Sequence, residues 1–253
     1  MKHAPMIRPL ASEVPVALVF NGSTQAVMMA TPDDFPAFGV GFALSEGIVS
    51  TVAEIERTEV VTHDQGVEVQ MWIAADRAEA LADRRRSMVG PVGCGLCGID
   101  SLAQAARDLP QLADGFVMQA GAVAGVTDQL RQHQPLHDET RAVHCAGFWR
   151  DGIVTACEDV GRHNALDKLI GRLALTGQSA RDGAVVITSR VSVDLVQKVA
   201  LAGCPVLIAV GAPTTTAVSQ ADAAGLTLIG LAKGADYTIF THPQRMSGHS
   251  DAD

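Results

Sequence analysis

The chain has 253 residues, 47% of them hydrophobic, and a formal net charge of −9 at neutral pH. That length and apolar content suffice for a sizeable core in one large or two small domains, and the acidic balance excludes a general nucleic-acid binder while leaving room for a local basic site. Five cysteines in no regular framework exclude a disulfide-stapled secreted fold, and with no apolar run suited to a signal peptide or membrane span the expected setting is cytoplasmic, with no membrane partner.

In chain order, residues 14–20 alternate weakly, run into Asn21-Gly22 and resume at residues 25–31, the pattern of a β-hairpin. Thr31-Pro32-Asp33-Asp34 reads as a helix start, with a capping hydroxyl, a proline and acids at the positive dipole end, and the helix should reach Ser45-Glu46-Gly47. Residues 55–61 and 67–73, joined through His63-Asp64-Gln65-Gly66, predict a second hairpin. An alanine-rich helix from Asp76 closes on Arg84-Arg85-Arg86. These cations suit a helix C-terminus, and they also raise the potential near the motif that follows.

That motif is Gly93-Cys94-Gly95-Leu96-Cys97-Gly98. Glycines on both sides let the backbone present a thiol with little steric cover, so the loop is expected to be mobile. Structural zinc needs about four ligands, and with no second Cys-x-x-Cys the set would have to borrow His144, Cys145 or His163; no bound metal is expected. A thioredoxin-like dithiol expects the pair at an early strand-to-helix turn, which does not fit its place here. Zinc deamination needs His-x-Glu ahead of Pro-Cys-x-x-Cys, but His137-Asp138-Glu139 follows the pair and Gly93 replaces the proline. A thiolate that carries sulfur fits best, with Cys94, glycine on both sides, as the carrier and Cys97 assisting. Of the other thiols, Cys145 is expected within a strand, Cys204 packed at a helix end and Cys157 near the site.

From about Ala142 the pattern becomes strands alternating with helices, an α/β layered domain. Residues 142–149, 153–156, 184–188, 206–210 and 226–231 are the expected strands, Ser192 and Thr214 the expected helix caps, and Gly203 and Gly225 the expected stops. The fold class is therefore α/β, or α+β overall: a smaller mixed α+β domain over residues 1–110, ending in the cysteine loop, followed by the layered domain over 111–253, with the seam near Asp108-Leu109-Pro110. Residues 158–164, 188–192 and 211–216 place polar side chains just after strands and at helix starts, on the carboxyl edge where free N–H groups favour an anionic, phosphate-bearing ligand. On the first of these helices Leu166, Leu169, Ile170 and Leu173 form an apolar stripe, with His163 and Asp167 four apart on its flank and able to meet.

Cys94-Gly95-Leu96-Cys97-Gly98, the run Glu158-Asp159-Val160-Gly161-Arg162-His163-Asn164-Ala165-Leu166-Asp167-Lys168, Ser189-Arg190-x-Ser192 and Ala212-Pro213-Thr214 together resemble the formate dehydrogenase accessory sulfurtransferase family, FdhD. Gly41-Phe42-Ala43-Leu44-Ser45-Glu46-Gly47 and Thr241-His242-Pro243-Gln244-Arg245 extend the resemblance over nearly the whole chain. Departures are Asp194 where the family more often has glutamate, Gly211 where serine is common and Cys157 where arginine is common. The resemblance implies a homodimeric sulfur carrier whose second domain is similar to cytidine deaminases. It would take persulfide sulfur from a cysteine desulfurase and deliver it to the bis(molybdopterin guanine dinucleotide) molybdenum cofactor bound for formate dehydrogenase. The cofactor would be a client rather than a tightly bound group, with GDP as a fragment ligand. The site expected for it, on the carboxyl edge, comprises Arg162, His163, Asn164, Ser189, Arg190, Ser192 and Thr214 with Phe240, Thr241, His242, Pro243, Gln244 and Arg245. A molybdenum-cofactor chaperone with structural or metal-binding cysteines is the alternative.

Overall fold

In the computed structural model of the chain, residues 8–87 and 108–248 are described. Cys94 and Cys97, and with them the expected mobile loop, lie outside the described residues.

The first half folds as two hairpins in one sheet. Strands β1 (Val14–Phe20) and β2 (Ser23–Ala30) are joined by Asn21 and Gly22, both with positive φ, 46° and 77°, as a tight hairpin turn requires. The second hairpin is β3 (Ile55–His63) and β4 (Gly66–Ile73), and the strand order is β2-β1-β4-β3 with β1 and β4 parallel. Alternation along the strands sends Val16, Leu18, Phe20, Val69, Met71 and Ile73 to one face, where they pack on helix α1 (Phe35–Ser45). Helix α2 (Ala75–Ser87) leads toward the cysteine motif. The expected start of α1 at Thr31 is corrected: Asp34, with φ 47°, stands at the N-cap without a side-chain cap bond, and Thr31, Asp33 and Asp34 bond instead to the second half of the chain.

The second half builds a six-stranded sheet from β6 (His144–Trp149), β7 (Ile153–Asp159), β8 (Ala184–Ile187), β9 (Val206–Ala209), β10 (Thr227–Lys233) and β11 (Asp236–Thr241), ordered β11-β10-β9-β8-β6-β7. A short parallel pair, β5 (Met118–Gln119) with β12 (Met246–Ser247), lies outside it. Every residue of β8 and β9 is buried, as continuous apolar runs covered on both faces should be. Helices α5 (Arg162–Leu175) and α6 (Val193–Leu201), with the α7 (Thr215–Ala223) alanines, share one apolar cluster with the sheet, and α3 (Ala120–Arg131) closes the other. Helix α4 (Pro135–Thr140) precedes β6. Because β6 is antiparallel to both β7 and β8, and β8, β9 and β10 are mutually parallel, β7 through β10 all end at one edge except β6.

The two halves meet through α1 and α5, which cross at glycines. A Cβ on Gly41 would collide with the carbonyl of Asp167, and one on Gly171 with that of Ala37, so backbones touch where side chains would stand. Around this crossing lies a buried polar network. Lys168 Nζ donates to Thr31 O at 2.9 Å, pairs with Asp159 Oδ2 at 2.8 Å and also meets Asp33. Asp159 accepts from the backbone N–H of Thr31 and of Gly161 and from Asn164 Nδ2. Lys198 Nζ donates to Ser45 Oγ at 2.9 Å, Glu46 Oε1 at 2.8 Å and Asp167 Oδ1 at 3.0 Å, while Ser45 Oγ donates to Asp167 at 2.6 Å. Burial alone would push the Lys198 ammonium down, but the carboxylates of Asp167 and Glu46 outweigh it and hold it above its ordinary range.

Candidate functional site

Three helices begin on the shared carboxyl edge. Gly161 is the N-cap of α5 and Ser192 that of α6, neither with a side-chain cap bond, whereas Thr214 Oγ1 caps α7 by accepting from Ala217 N–H at 3.3 Å. The first N–H groups of α5 and α6 therefore have no side-chain acceptor, and they carry the positive dipole ends of helices 14 and 9 residues long. Between them, Arg190 is exposed and Ser189 buried, its hydroxyl donating to Arg190 O. A Cβ on Gly211 would press on Arg190 Cα and Ser189 O, so the loops after β8 and β9 interlock backbone to backbone and hold these starts in register.

His163 does not meet Asp167. Its Nε2 lies 3.4 Å from Asp194 Oδ2 on α6, and the same carboxylate oxygen accepts from Ser192 Oγ at 3.2 Å. Asp167, one turn along α5, is fully buried against Lys198 and Ser45. The 3.6-residue period puts the two residues on one flank, but α6 lies against that flank and offers each its own partner: Asp194 for His163, Lys198 for Asp167. His163 and Arg162 together hold the Asp194 carboxyl below its usual range, the hydrogen bond from His163 contributing most. Asn164 turns inward, donating to Met29 O at 2.8 Å and Asp159 Oδ1 at 2.9 Å, and is only 2% exposed; it fastens the loop instead of facing the edge.

Sequence reasoning missed a cluster of basic groups at the same place. His144 opens β6 directly opposite Asp159, where β7 ends, which brings it beside Arg162, and α4 brings His137 close. Glu158 fastens α4 there, accepting from the N–H groups of Leu136 and His137 at 2.8 and 2.7 Å. Burial first, then the charges of Arg162, His137 and His163, push the His144 imidazole below its ordinary value. Four basic side chains drawn from α4, β6 and α5, beside two helix N-termini, form a pocket of positive potential in an acidic chain. The signal was absent from any one segment, because strand register alone brings His144 to Arg162.

Residues 241–245 are not on that edge. Thr241 Oγ1 donates to Leu226 O at 2.6 Å, Thr227 Oγ1 donates to His242 O at 2.9 Å, and the His242 ring faces Asp222 O. Leu226 and Thr227 lie where β10 begins, so Thr241, His242, Pro243, Gln244 and Arg245 surround the amino edge, across the sheet from Arg162, Ser189 and Thr214. The reason is topological: β11 runs antiparallel to β10, and its last residues return to where β10 starts. Phe240 alone reaches the other way, its ring and Pro213 both 3.0 Å from where a Cβ on Gly230 would stand.

Cys145, Cys157 and Cys204 are all buried. Burial pushes the Cys157 thiol up to about 12, and the Cys204 thiol likewise to about 12; Cys145 is raised further by burial and by Glu158. None of the three is a nucleophile near neutral pH. Among the described residues no group of three or more His, Cys, Asp or Glu is placed to hold a metal, and no helix is long and apolar enough to cross a membrane.

Residues 11–247 match the model of the FdhD/NarQ family. A protein of Agrobacterium fabrum named sulfur carrier protein FdhD is 50% identical over 242 residues, 94% of this chain and 89% of that protein. One of the same name from Bordetella bronchiseptica is 46% identical over 241 residues, 94% and 87% of the two chains. The crystal structure of a protein from Desulfotalea psychrophila, provisionally described as a formate dehydrogenase accessory protein, shares the fold with a TM-score of 0.71 at 24% identity, covering 94% of this chain and 90% of the other. On the family match and these identities over nearly its full length, the chain belongs to the FdhD/NarQ family.

Proposed function

We propose that this protein is a sulfurtransferase of the persulfide-carrier type, working in the cytoplasm as a homodimer. It accepts sulfur from a cysteine desulfurase at Cys94 and delivers it to the bis(molybdopterin guanine dinucleotide) molybdenum cofactor before that cofactor enters formate dehydrogenase. The observation that carries this reading is the 50% identity, over 94% of the chain, to a protein named as a sulfur carrier. In the first step the Cys94 thiolate attacks the outer sulfur of the desulfurase persulfide. The donor's S–S bond breaks, the donor cysteine leaves as thiolate, and no electrons are gained or lost overall. In the second, the Cys97 thiolate attacks the inner sulfur of the Cys94 persulfide, forming a Cys94–Cys97 disulfide and releasing hydrosulfide; a dithiol reductant then restores both thiols.

The carboxyl-edge pocket supports the other half of the reading. Free N–H groups at the starts of α5 and α6, with Arg162, His163, His144 and Arg190, suit the phosphates of a dinucleotide, so GDP is the natural fragment probe. Calorimetry with GDP tests this directly. Arg162→Ala is expected to weaken binding about tenfold or more, the loss of a charge-assisted contact. Unchanged affinity would place the ligand elsewhere. In cells, Cys94→Ala should abolish formate dehydrogenase maturation and Cys97→Ala reduce it, and full activity of the Cys94 variant would remove the carrier assignment.

A further inference from the structure

Arg245 belongs to the motif that the sequence assigns to ligand binding, yet its side chain is only 3% exposed. Nη1 donates to Gly225 O at 2.5 Å and to Thr227 Oγ1 at 3.4 Å. Nη2 donates to Leu112 O at 3.2 Å, to Ala113 O at 3.4 Å and to Asp114 Oδ1 at 3.1 Å. Nε is buried without a partner, so the guanidinium offers no donor to a ligand in solvent. Its charge lies at the C-terminal end of α7, where the helix dipole and free carbonyls favour a cation.

Two further bonds fix the same stretch of chain. Leu112 N–H donates to Ala224 O at 2.9 Å, and Gln111 Nε2 donates to Ala223 O at 2.5 Å. Gly225 has φ 72°, and a Cβ there would stand 3.4 Å from Leu112 O, so the two segments run in close contact. Just beyond, β5 pairs with β12 through Met118 and Met246. Residues 111–119 are thus laced to the turn after α7 and to the chain's last strand, with Arg245 at the centre. Leu112 is fifteen residues beyond Cys97.

We propose that Arg245 is a positioning residue: it pins residues 112–114, by which the chain returns from the cysteine motif, to the amino edge of the large sheet, and so acts on sulfur acceptance at Cys94 instead of on ligand binding. The inference rests on the sulfur-carrier reading above. A group on a tether meets its partner at an effective concentration set by where the tether is fixed, and Arg245 holds the fixed point on one side of Cys94.

The test uses the full chain with Arg245→Gln and Arg245→Lys. Four quantities are read: the initial rate of sulfur loading on Cys94 by a desulfurase with cysteine, the rate of Cys94 alkylation by iodoacetamide, GDP affinity, and amide exchange at residues 112–114. Arg245→Gln should load about fivefold or more slowly, with alkylation and GDP affinity within about twofold of the parent and faster exchange at 112–114, as loss of a tether point requires. A lysine reaches some of the same carbonyls, so Arg245→Lys should recover part of the loading rate. Parental loading despite faster exchange, or a loss of GDP affinity with loading intact, would overturn the proposal. If Arg245→Gln does not fold, Asp114→Asn and Gln111→Ala loosen the same anchor from exposed positions, and normal loading in both would overturn it equally. A parent protein that never loads defeats the sulfur-carrier reading itself, whereas a parent and variants that load alike defeat only the role of Arg245.

Discussion

His144 is held in its neutral form by burial and by the cationic neighbours Arg162, His137 and His163. With its folded pKa depressed below 6.5, the neutral ring contributes stability above that value, and the contribution is lost as pH falls through the lower folded pKa. Asp194 acts in the same direction: its carboxyl is held below 3.8, so its stabilisation is present above that value and lost on further acidification. A polyphosphate bound beside His144 would offset the neighbouring positive charge and raise the imidazole. GDP should therefore bind more tightly as pH falls from about 8 to 6, with proton uptake measurable as a buffer-dependent heat. Affinity flat across that range would remove His144 from the ligand's surroundings. Thiol labelling gives a second check at this scale. Cys145, Cys157 and Cys204 are buried, so iodoacetamide on the native protein should modify only Cys94 and Cys97, and native labelling of Cys157 would contradict its burial.

Helices α1, α5 and α6 are the elements on which the arrangement depends. Lys198 and Asp167 are buried between them, and removing one charge leaves the other without a partner. Lys198→Met should lower stability by about 3 kcal/mol or more in denaturant titration, and Lys198→Met with Asp167→Leu should recover part of it. A single variant as stable as the parent would contradict the network. Much of the element pattern was legible in the chain: Asn21-Gly22 permits little besides a tight hairpin, and the all-apolar runs of β8 and β9 suit only a covered sheet. The start of α1 was not, because Thr31, Asp33 and Asp34 have the local chemistry of a cap but bond to Asp159, Lys168 and Arg172 more than 120 residues away. The site was legible where a motif supplied its own geometry, as at Ser192 and Thr214, and misread where a partner came from another element. His163 took Asp194 in place of Asp167, and Arg245 took the turn after α7.

At the scale of the whole molecule, the large sheet separates two edges: one with the basic pocket and three helix starts, the other with residues 241–245 and the return of the cysteine-bearing chain. The proposed homodimer predicts twice the single-chain mass by light scattering, and a concentration-independent single-chain mass would contradict it. A carrier thiol clamped by metal would lose its nucleophile, so protein purified without chelator should hold no stoichiometric zinc. Zinc that disappears in the Cys94→Ser, Cys97→Ser double variant would favour a structural metal site. The central claim, that Cys94 accepts sulfur, is tested most directly by mass spectrometry of the protein after incubation with a cysteine desulfurase and cysteine. The account predicts the added mass of one sulfur atom, mapped to Cys94, removed by dithiol reductant and absent from Cys94→Ala. Sulfur that never appears, or that remains after Cys94→Ala, would contradict it.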